Sequence, residues 1–440
     1  MLPFRRLCLA LAGLAGLALV AGLFLGQPGL WQPSAVALTV AAAIGIGAVP
    51  VLASYQFTAW IVATVVAGLI YPEAILRGTG IDMTNKWIRL VAIQMVMFGM
   101  GTQMGLRDFA GVLKNPWGVF VAVFSQFTVM PLVGWALTKA FVLPAEIAAG
   151  VILVGACSSG LASNVMCYIA KANLPLSVTA TACTTMLAPL MTPMWMKLLA
   201  GTLVEVSFVN MMAEIIKIVL VPIGAGLLHD YLKWASPRGA RVTQGVAALA
   251  AFFAGLLIFG WSRFAASLPP DALMLLELAG FFAGAVVVGV VYHYLTKLLT
   301  RLDAWMPVAS MVGIMYFTTV TTAAGRNNLL QVGGLLFLVA ALHNAFGYLL
   351  GYLLGRAGGL DKNSARTVAI EVGLQNGGMA SGLAGAMGKL ATVGLAAAVF
   401  GSWMNVSGSI LANYWKRRPV PGLAPAPEGK PAALAATGAS

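Results

Sequence analysis

A carboxylate and two carboxamides stand close together in a strongly apolar part of the sequence. Residues 371–376 read EVGLQN and lie near the start of an apolar run from about 367 to 388. Burying an ionised carboxylate in hydrocarbon costs several kcal/mol, so Glu371 inside a membrane span indicates a function and a specific partner. Glycines at 373, 377 and 378 weaken the helix there and free backbone carbonyls to face a cavity. Together these groups favour a bound cation.

A second polar stretch interrupts another apolar segment. Residues 155–164 read GACSSGLASN, and Ser177 and Thr181 follow in the next segment. These two hydroxyl residues are four apart, so they share one face of a helix. Two simpler interpretations remain open at this point. Glu371 could be a helix-end acid paired with Arg366, and the hydroxyls could only join neighbouring helices by hydrogen bonds.

The composition places these residues in a membrane protein. Of 440 residues, 60% are hydrophobic and 9% are charged, and the mean hydropathy is +0.91. A soluble domain of this length carries about a quarter of its residues charged. The 50 glycines are typical of packed membrane helices, where small residues let backbones approach. The sequence therefore predicts an all-α polytopic membrane protein.

Hydropathy predicts about fourteen membrane spans, each about 20 residues long and thus able to cross the hydrocarbon core. They lie near residues 7–26, 34–54, 58–76, 88–106, 117–139, 147–170, 174–200, 210–231, 243–262, 273–299, 306–324, 332–355, 367–388 and 391–414.

The distribution of charge predicts the orientation. With a cytoplasmic N-terminus, the loops and tail expected inside hold fourteen Lys and Arg residues, against eight in the loops expected outside. This excess predicts that both termini are cytoplasmic. The net charge of +13 thus serves orientation, and no basic stripe with interleaved aromatics indicates nucleic-acid binding. As an alternative, residues 1–26 are a cleaved signal peptide, since Arg5 and Arg6 precede an apolar run.

Seven spans in each half indicate an internal symmetry. An odd number of spans per half gives the two halves opposite orientations, which is the inverted repeat of many secondary transporters. The sixth and thirteenth spans occupy matching positions and contain the stretches 155–164 and 371–378. Interrupted segments at matching positions of two halves predict a binding site near the membrane midplane.

Several motifs resemble the bile acid:sodium symporter family. They are FGMG (98–101), QFTVMP (126–131), GLASNVMCYIAKANLPLSVTATACTTMLAPLMTP (160–193), LHNAFGYLLGY (342–352), IEVGLQN (370–376) and MNVSGSILANYW (404–415). The resemblance implies two inverted five-helix repeats, a core domain, a panel domain and two broken helices that cross. It divides the chain into two extra helices (1–57), a first repeat (58–200), a second repeat (201–414) with two extra helices near 243–299, and a disordered cytoplasmic tail (415–440).

The resemblance also implies two sodium sites. The first would use Ser163, Asn164, Ser177, Thr181 and Glu371. The second would use Gln126, Glu371, Gln375 and the backbone carbonyls of Val372 and Leu374. Every ligand is an oxygen atom, which suits a hard cation such as Na⁺.

The chain departs from the family where the substrate is expected. SSGL (158–161) replaces the usual Pro-Gly-Gly-Thr, and Met404-Asn405 replaces the usual His-Asn. By resemblance, the substrate-binding residues would be Leu161, Asn376, Met404 and Asn405. The loss of two polar groups predicts a less polar anion-binding surface.

These observations predict a sodium-coupled symporter in the bacterial inner (plasma) membrane. It would import a small organic anion by alternating access, the anion being bile-acid-like, pantoate-like or another carboxylate or sulfonate. The alternatives are a proton-coupled carrier in which Glu371 titrates, or a non-transporting membrane receptor. Three scattered histidines and no nucleophile–base set argue against an enzyme.

His343-Asn344 is interpreted as structural rather than as a proton relay, and the threonines near 318–322 either line a cavity or bond to their own helix.

Overall fold

The computed structural model describes residues 2–50, 52–78, 80–109 and 111–420. These residues form twenty α-helices, joined by short turns. The helices are α1 (Leu2–Phe24), α2 (Pro28–Gly45), α3 (Gln56–Ile70), α4 (Pro72–Arg77), α5 (Lys86–Thr102), α6 (Leu106–Phe109), α7 (Gly111–Lys114), α8 (Pro116–Ala140), α9 (Ala145–Ala156), α10 (Leu161–Ile169), α11 (Leu174–Trp195), α12 (Phe208–Ile215), α13 (Val221–Trp234), α14 (Pro237–Ser267), α15 (Pro270–Leu298), α16 (Leu302–Ala324), α17 (Arg326–Ala357), α18 (Lys362–Gly373), α19 (Gly377–Ala386) and α20 (Val393–Lys416).

Among the described residues, ten helical segments are long and apolar enough to cross a membrane. Two of them contain π turns, through which α11 continues to Ala200 and α12 continues into α13. The remaining four predicted spans coincide with the shorter helices α3 and α5 and with the pairs α9–α10 and α18–α19. The prediction of an all-α polytopic membrane protein is confirmed.

Two of the predicted spans are interrupted where their glycine-rich stretches lie. The first pair breaks between Ala156 and Leu161, and the second between Gly373 and Gly377. Asn376 begins α19 by accepting a hydrogen bond from the backbone N–H of Met379 (3.0 Å), which is a standard N-cap. Each break therefore exposes a helix C-terminus and a helix N-terminus inside the protein.

The interrupted helices belong to a bundle that we call the core bundle, made of α8–α11 and α17–α20. In it, α8 packs against α9, α11, α17 and α18, and α20 packs against α9 and α17. Glycines allow the closest approach. A Cβ on Gly347 would lie 3.1 Å from the Cα of Gly373, and one on Gly351 would lie 3.1 Å from the Cα of Ala369. The backbone of α18 is thus seated directly on α17.

A second group, the panel bundle, consists of α3, α5, α13 and α16. Helix α5 packs against α13 and α16, and α16 packs against α3. Two hairpins lie beside it, since α1–α2 contacts α3 and α14–α15 contacts α13. The predicted tail from 415 begins within α20, which extends to Lys416, and its residues 421–440 lie outside the described residues.

Candidate cation site

The two helix interruptions meet in space and pair their backbones. Ser159 and Gln375 form a single antiparallel bridge. The N–H of Gly160 donates to the carbonyl of Leu374 (3.2 Å), and the N–H of Asn376 donates to the carbonyl of Ser158 (2.9 Å). Because hydrocarbon offers no hydrogen bonds, non-helical backbone at membrane depth must be satisfied by protein. The crossing satisfies it by joining one break to the other.

Side-chain amides on either side of the crossing occupy corresponding positions. On α8, Gln126 Nε2 donates to the carbonyl of Cys157 (2.9 Å). On α17, Asn344 Nδ2 donates to the carbonyl of Gly373 (2.8 Å). Each accepting carbonyl lies two residues before the bridged residue of its own segment. The two amides thus hold their own broken segments at equivalent positions.

Further donors satisfy the carbonyls at the two broken helix ends. Thr192 Oγ1 donates to the carbonyl of Ala156 (2.7 Å), and Ser159 Oγ donates to the backbone carbonyl of Glu371 (3.0 Å). Gln375 Nε2 donates to the carbonyl of Val372 (2.6 Å). Sequence reasoning missed Ser159, Thr192 and the role of Asn344. Ser159 was visible as part of a polar stretch. Thr192 and Asn344 lie in the motifs at 160–193 and 342–352, but nothing in their spacing pointed to the carbonyls that they bind.

The carboxylate of Glu371 lies at the centre of a buried cluster of oxygens. Its side chain is 1% exposed. Ser177 donates to Oε1, and Thr181 donates to Oε2 at 2.8 Å. Asn164 Oδ1 accepts from Ser177 (2.8 Å) and Thr181 (3.3 Å), and Ser163 Oγ lies 3.3 Å from Thr181 Oγ1. The structure therefore brings together all five side chains of the first predicted ion set.

No basic side chain balances this carboxylate among the residues that the structure describes. The ion pairs found there join Lys217 to Glu214 and Glu277, Lys389 to Glu146, and His229 and Lys233 to Asp303. Arg366 lies instead over the ring of Trp415, with its guanidinium carbon 5.4 Å from the ring centre. A buried, unpaired carboxylate is costly. An all-oxygen cluster with one negative charge fits a hard monovalent cation.

The second predicted ion set is only partly assembled around the same carboxylate. Gln126 and Gln375 bond to each other through their amides, at 2.7 Å and 3.3 Å. The carbonyls of Val372 and Leu374 accept from Gln375 and Gly160. Within the described part of the chain, the hydrogen bonds of the Glu371 carboxylate go to Ser177 and Thr181, not to the two glutamines.

The residues predicted to bind substrate lie on several elements around the crossing. Asn376 Nδ2 lies 4.0 Å from the sulfur of Met100, and the methyl of Met404 lies beside Gly377. Asn405 donates its amide to the carbonyl of Gly401 on its own helix (2.7 Å). Leu161 is the first residue of α10 and packs against the buried core. Asn376 and Met404 thus flank the start of α19.

Two polar motifs prove to be structural in their contacts. His343 is buried, and its Nε2 lies 2.9 Å from the backbone carbonyl of Met130. Thr318 and Thr319 donate to the carbonyls of Ile314 and Met315, one turn earlier in their own helix. These two hydroxyls therefore serve the helix backbone. The buried hydroxyl of Thr321 has no hydrogen-bond partner among the described residues, so the interpretation holds for Thr318 and Thr319 only.

Comparison with known proteins relates this geometry to a family. The Sodium Bile acid symporter family model matches residues 90–267. An uncharacterized sodium-dependent transporter of Bacillus subtilis (strain 168), YocS, is 32% identical over 370 residues, which are 83% of this chain and 92% of that protein. The chain belongs to the sodium bile acid symporter family.

Other members of this family are similar over most of the chain. A probable chloroplastic sodium/metabolite cotransporter of Arabidopsis thaliana is 30% identical over 365 residues, 83% of this chain and 74% of that protein. The human (Homo sapiens) ileal sodium/bile acid cotransporter is 27% identical over 325 residues, 71% of this chain and 74% of that protein. The chain is thus an integral membrane protein of a sodium-dependent transporter family and not an enzyme.

The close packing of the two interrupted helices at the crossing can be tested by substituting a glycine. A Cβ on Gly160 would lie 2.8 Å from the backbone carbonyl oxygen of Gln375, whereas one on Gly377 would meet atoms only at 3.8 Å or more. We expect Gly160→Ala to push the two interrupted helices apart and to lower the melting temperature of the purified protein by several degrees. Gly377→Ala is the matched control and is expected to melt like the wild type. Equal melting of the two variants would contradict the tight crossing.

Proposed function

We propose that this chain is a symporter that couples inward movement of two sodium ions to uptake of a small organic anion by alternating access. It would act in the bacterial inner (plasma) membrane with both termini cytoplasmic. The observation that carries the proposal is the buried cluster of five oxygen-bearing side chains around Glu371, which has no basic partner among the described residues. Sodium is the cargo that this cluster fits.

The first ion would be held by Ser163, Asn164, Ser177, Thr181 and Glu371. The hydroxyl oxygens of Ser177 and Thr181 lie within hydrogen-bond distance of both the carboxylate and Asn164 Oδ1, and each can donate its one proton to either acceptor. When an ion enters, these hydroxyls can rotate so that their oxygens face it. The ligands come from α10, α11 and α18, so an ion here would tie the first half of the chain to the second.

The second ion would use Gln126, Gln375 and the carbonyls of Val372 and Leu374, with Glu371 shared between the sites. The two glutamine amides must then exchange their mutual hydrogen bond for contacts of their oxygens with the ion. Two sodium ions against one carboxylate leave a net positive charge. Together with the N-termini of α10 and α19, which begin at the crossing, this charge would attract an anion.

The walls near the proposed anion site favour a substrate with an apolar body. Thioether groups surround the start of α19. Met97 lies beside Gly378, Met404 lies beside Gly377, and the sulfur of Met379 lies 3.8 Å from Ser158 Oγ. Methionine side chains adapt to irregular apolar shapes. We therefore propose a carboxylate or sulfonate, bile-acid-like or pantoate-like, whose apolar part contacts these methionines.

Alternating access requires the core bundle to move against the panel bundle. One polar contact between them is the hydrogen bond from Arg89 Nη2 on α5 to the carbonyl of Gly385 on α19 (3.2 Å). At the other side, Thr179 of α11 donates to the carbonyl of Asp108, in the segment that follows α5 (3.0 Å). Contacts of this kind can break and reform, so they are consistent with movement of one bundle past the other.

Uptake by protein reconstituted into vesicles tests this proposal. We expect saturable accumulation of an organic anion with sodium outside, a Hill coefficient for sodium above one, and stimulation by an inside-negative potential. Each translocated charge gains about 2.3 kcal/mol at −100 mV, so two sodium ions with a monovalent anion carry current. Uptake driven by a pH gradient in sodium-free buffer would favour the proton-coupled alternative. Sodium-dependent binding without accumulation would favour a receptor.

A further inference from the structure

A groove runs along the surface of the core bundle, where α17 and α20 lie side by side. Its volume is about 600 Å³, within the range of roughly 300–1,000 Å³ that is typical of small-molecule sites. Aromatic side chains dominate its walls. They are Tyr348, Tyr352, Trp403, Tyr414 and Trp415.

The polar groups at the deep end of the groove are already paired. Ser407 Oγ donates to Asn344 Oδ1 (2.6 Å) and lies 3.2 Å from the hydroxyl of Tyr348. The amide of Asn344 is used by the carbonyl of Gly373. A ligand would find few free hydrogen-bonding groups here. The part of a ligand that enters this end should therefore be apolar.

The opposite end of the groove carries two guanidinium groups. Arg366 lies over Trp415 (5.4 Å from the ring centre), and Arg418 lies over Tyr414 (4.4 Å). Neither forms an ion pair with a carboxylate in the part of the chain that the structure describes. Arg418 Nη1 donates to the hydroxyl of Tyr414. The other N–H donors at the edges of the two guanidinium groups suit the bidentate recognition of phosphate.

Charge and shape together select one kind of occupant. The arginines stand at the C-terminal ends of the aromatic walls, beside the basic run Lys416–Arg418, on the side that the charge distribution predicts to be cytoplasmic. A small anion would satisfy the arginines but leave the apolar length unfilled. A neutral lipid would fill the apolar part of the groove but has no net negative charge to pair with the arginines. An amphiphile with an anionic head at the membrane surface and an apolar tail satisfies both ends.

We propose that this groove binds one anionic phospholipid. Its phosphate lies against Arg366 and Arg418, and one acyl chain lies between α17 and α20 as far as Tyr348. Basic pockets between membrane helices on the cytoplasmic side bind anionic head groups in this way. The bound chain would reach the residues that hold the carbonyl of Gly373, at the end of the interrupted helix α18.

Native mass spectrometry of the purified full-length protein tests the proposal with phosphatidylglycerol and with phosphatidylcholine of the same acyl chains. We expect the wild type to retain one phosphatidylglycerol in preference to phosphatidylcholine. The double substitution Arg366→Gln and Arg418→Gln is expected to weaken phosphatidylglycerol binding by at least about tenfold. The matched control, Arg238→Gln with Arg241→Gln, removes two exposed basic residues from the start of α14 and should bind like the wild type.

A second variant keeps the arginines and fills the groove. Ala345 lines it and is exposed, so Ala345→Trp should occupy the space of the acyl chain without disturbing the buried core. We expect this variant also to lose phosphatidylglycerol. Equal retention of the two lipids by the wild type would overturn the proposal. The proposal would also be overturned if removing the arginines abolished phosphatidylglycerol binding and Ala345→Trp did not. The arginines would then attract head groups with no acyl chain in the groove.

Discussion

Glu371→Gln is expected to abolish the stabilisation of the purified protein by sodium chloride over potassium chloride, and with it sodium-dependent uptake. Two unit charges 4 Å apart at an effective dielectric constant of 20 interact by about 4 kcal/mol. Removing the charge should therefore weaken sodium binding about a thousandfold. In potassium chloride the variant should melt no lower than the wild type, because it no longer buries an unpaired carboxylate. Thermal melting in the two salts measures both effects.

The control for this prediction is Glu146→Gln. Glu146 is also a carboxylate of the core bundle, but it pairs with Lys389 at the start of α9, away from the crossing. A half-exposed pair near the surface contributes about 0–1 kcal/mol, so this variant should keep its response to sodium. If the Glu371→Gln protein were still stabilised by sodium and still accumulated the anion, the proposed ion site would be wrong.

Thr181→Val is expected to lower the sodium affinity about tenfold to a hundredfold. The substitution keeps the shape of the side chain but removes the hydroxyl that lies 2.8 Å from Glu371 Oε2. We take the contact of this hydroxyl oxygen with the ion to be as strong as a hydrogen bond to a charged group, which contributes about 1.5–3 kcal/mol. In potassium chloride this variant should melt lower than the wild type, because its carboxylate has lost a donor. This is the opposite of the behaviour expected for Glu371→Gln, so the pair separates loss of charge from loss of a ligand.

Thr184→Val provides the matched control on the same helix. Thr184 is equally buried, but its hydroxyl bonds to the backbone carbonyl of Thr181 rather than to the carboxylate (3.1 Å). Its replacement should leave the sodium affinity unchanged. Combining Thr181→Val with Glu371→Gln should cause no further loss of sodium response beyond that of Glu371→Gln alone. A loss of equal size in the Thr181 and Thr184 variants would show that the helix, not the hydroxyl, determines binding.

Several features of the site could be predicted before the structure was seen. Hydropathy located the helices, and the glycine-rich stretches located both interruptions, because each depends only on neighbouring residues. The spacing of Ser177 and Thr181 predicted that their hydroxyls point the same way, and both reach Glu371. The resemblance to a family supplied the complete ligand set of the first ion, which could not be selected from helix spacing alone.

The partner of each buried polar group was decided by packing. From the sequence, Arg366 was an available partner for Glu371, yet it lies on Trp415. Gln126 and Gln375 were expected to join the carboxylate around an ion, yet they bond to each other. These alternative partners differ only by rotations about a few side-chain bonds. The local sequence therefore does not determine which partner each side chain binds.

By itself, the sequence determined that this is an all-helical membrane protein with an acid in an interrupted span. Those properties follow from the cost of placing charge and free backbone groups in hydrocarbon, which acts on each segment separately. Only the tertiary structure decided that Ser159 pairs with Gln375 and that Asn344 supports the carbonyl of Gly373. These contacts join residues far apart in the chain, and they form only where glycines let two segments approach closely. Gly160 allows this at the crossing, and Gly347 allows it between α17 and α18.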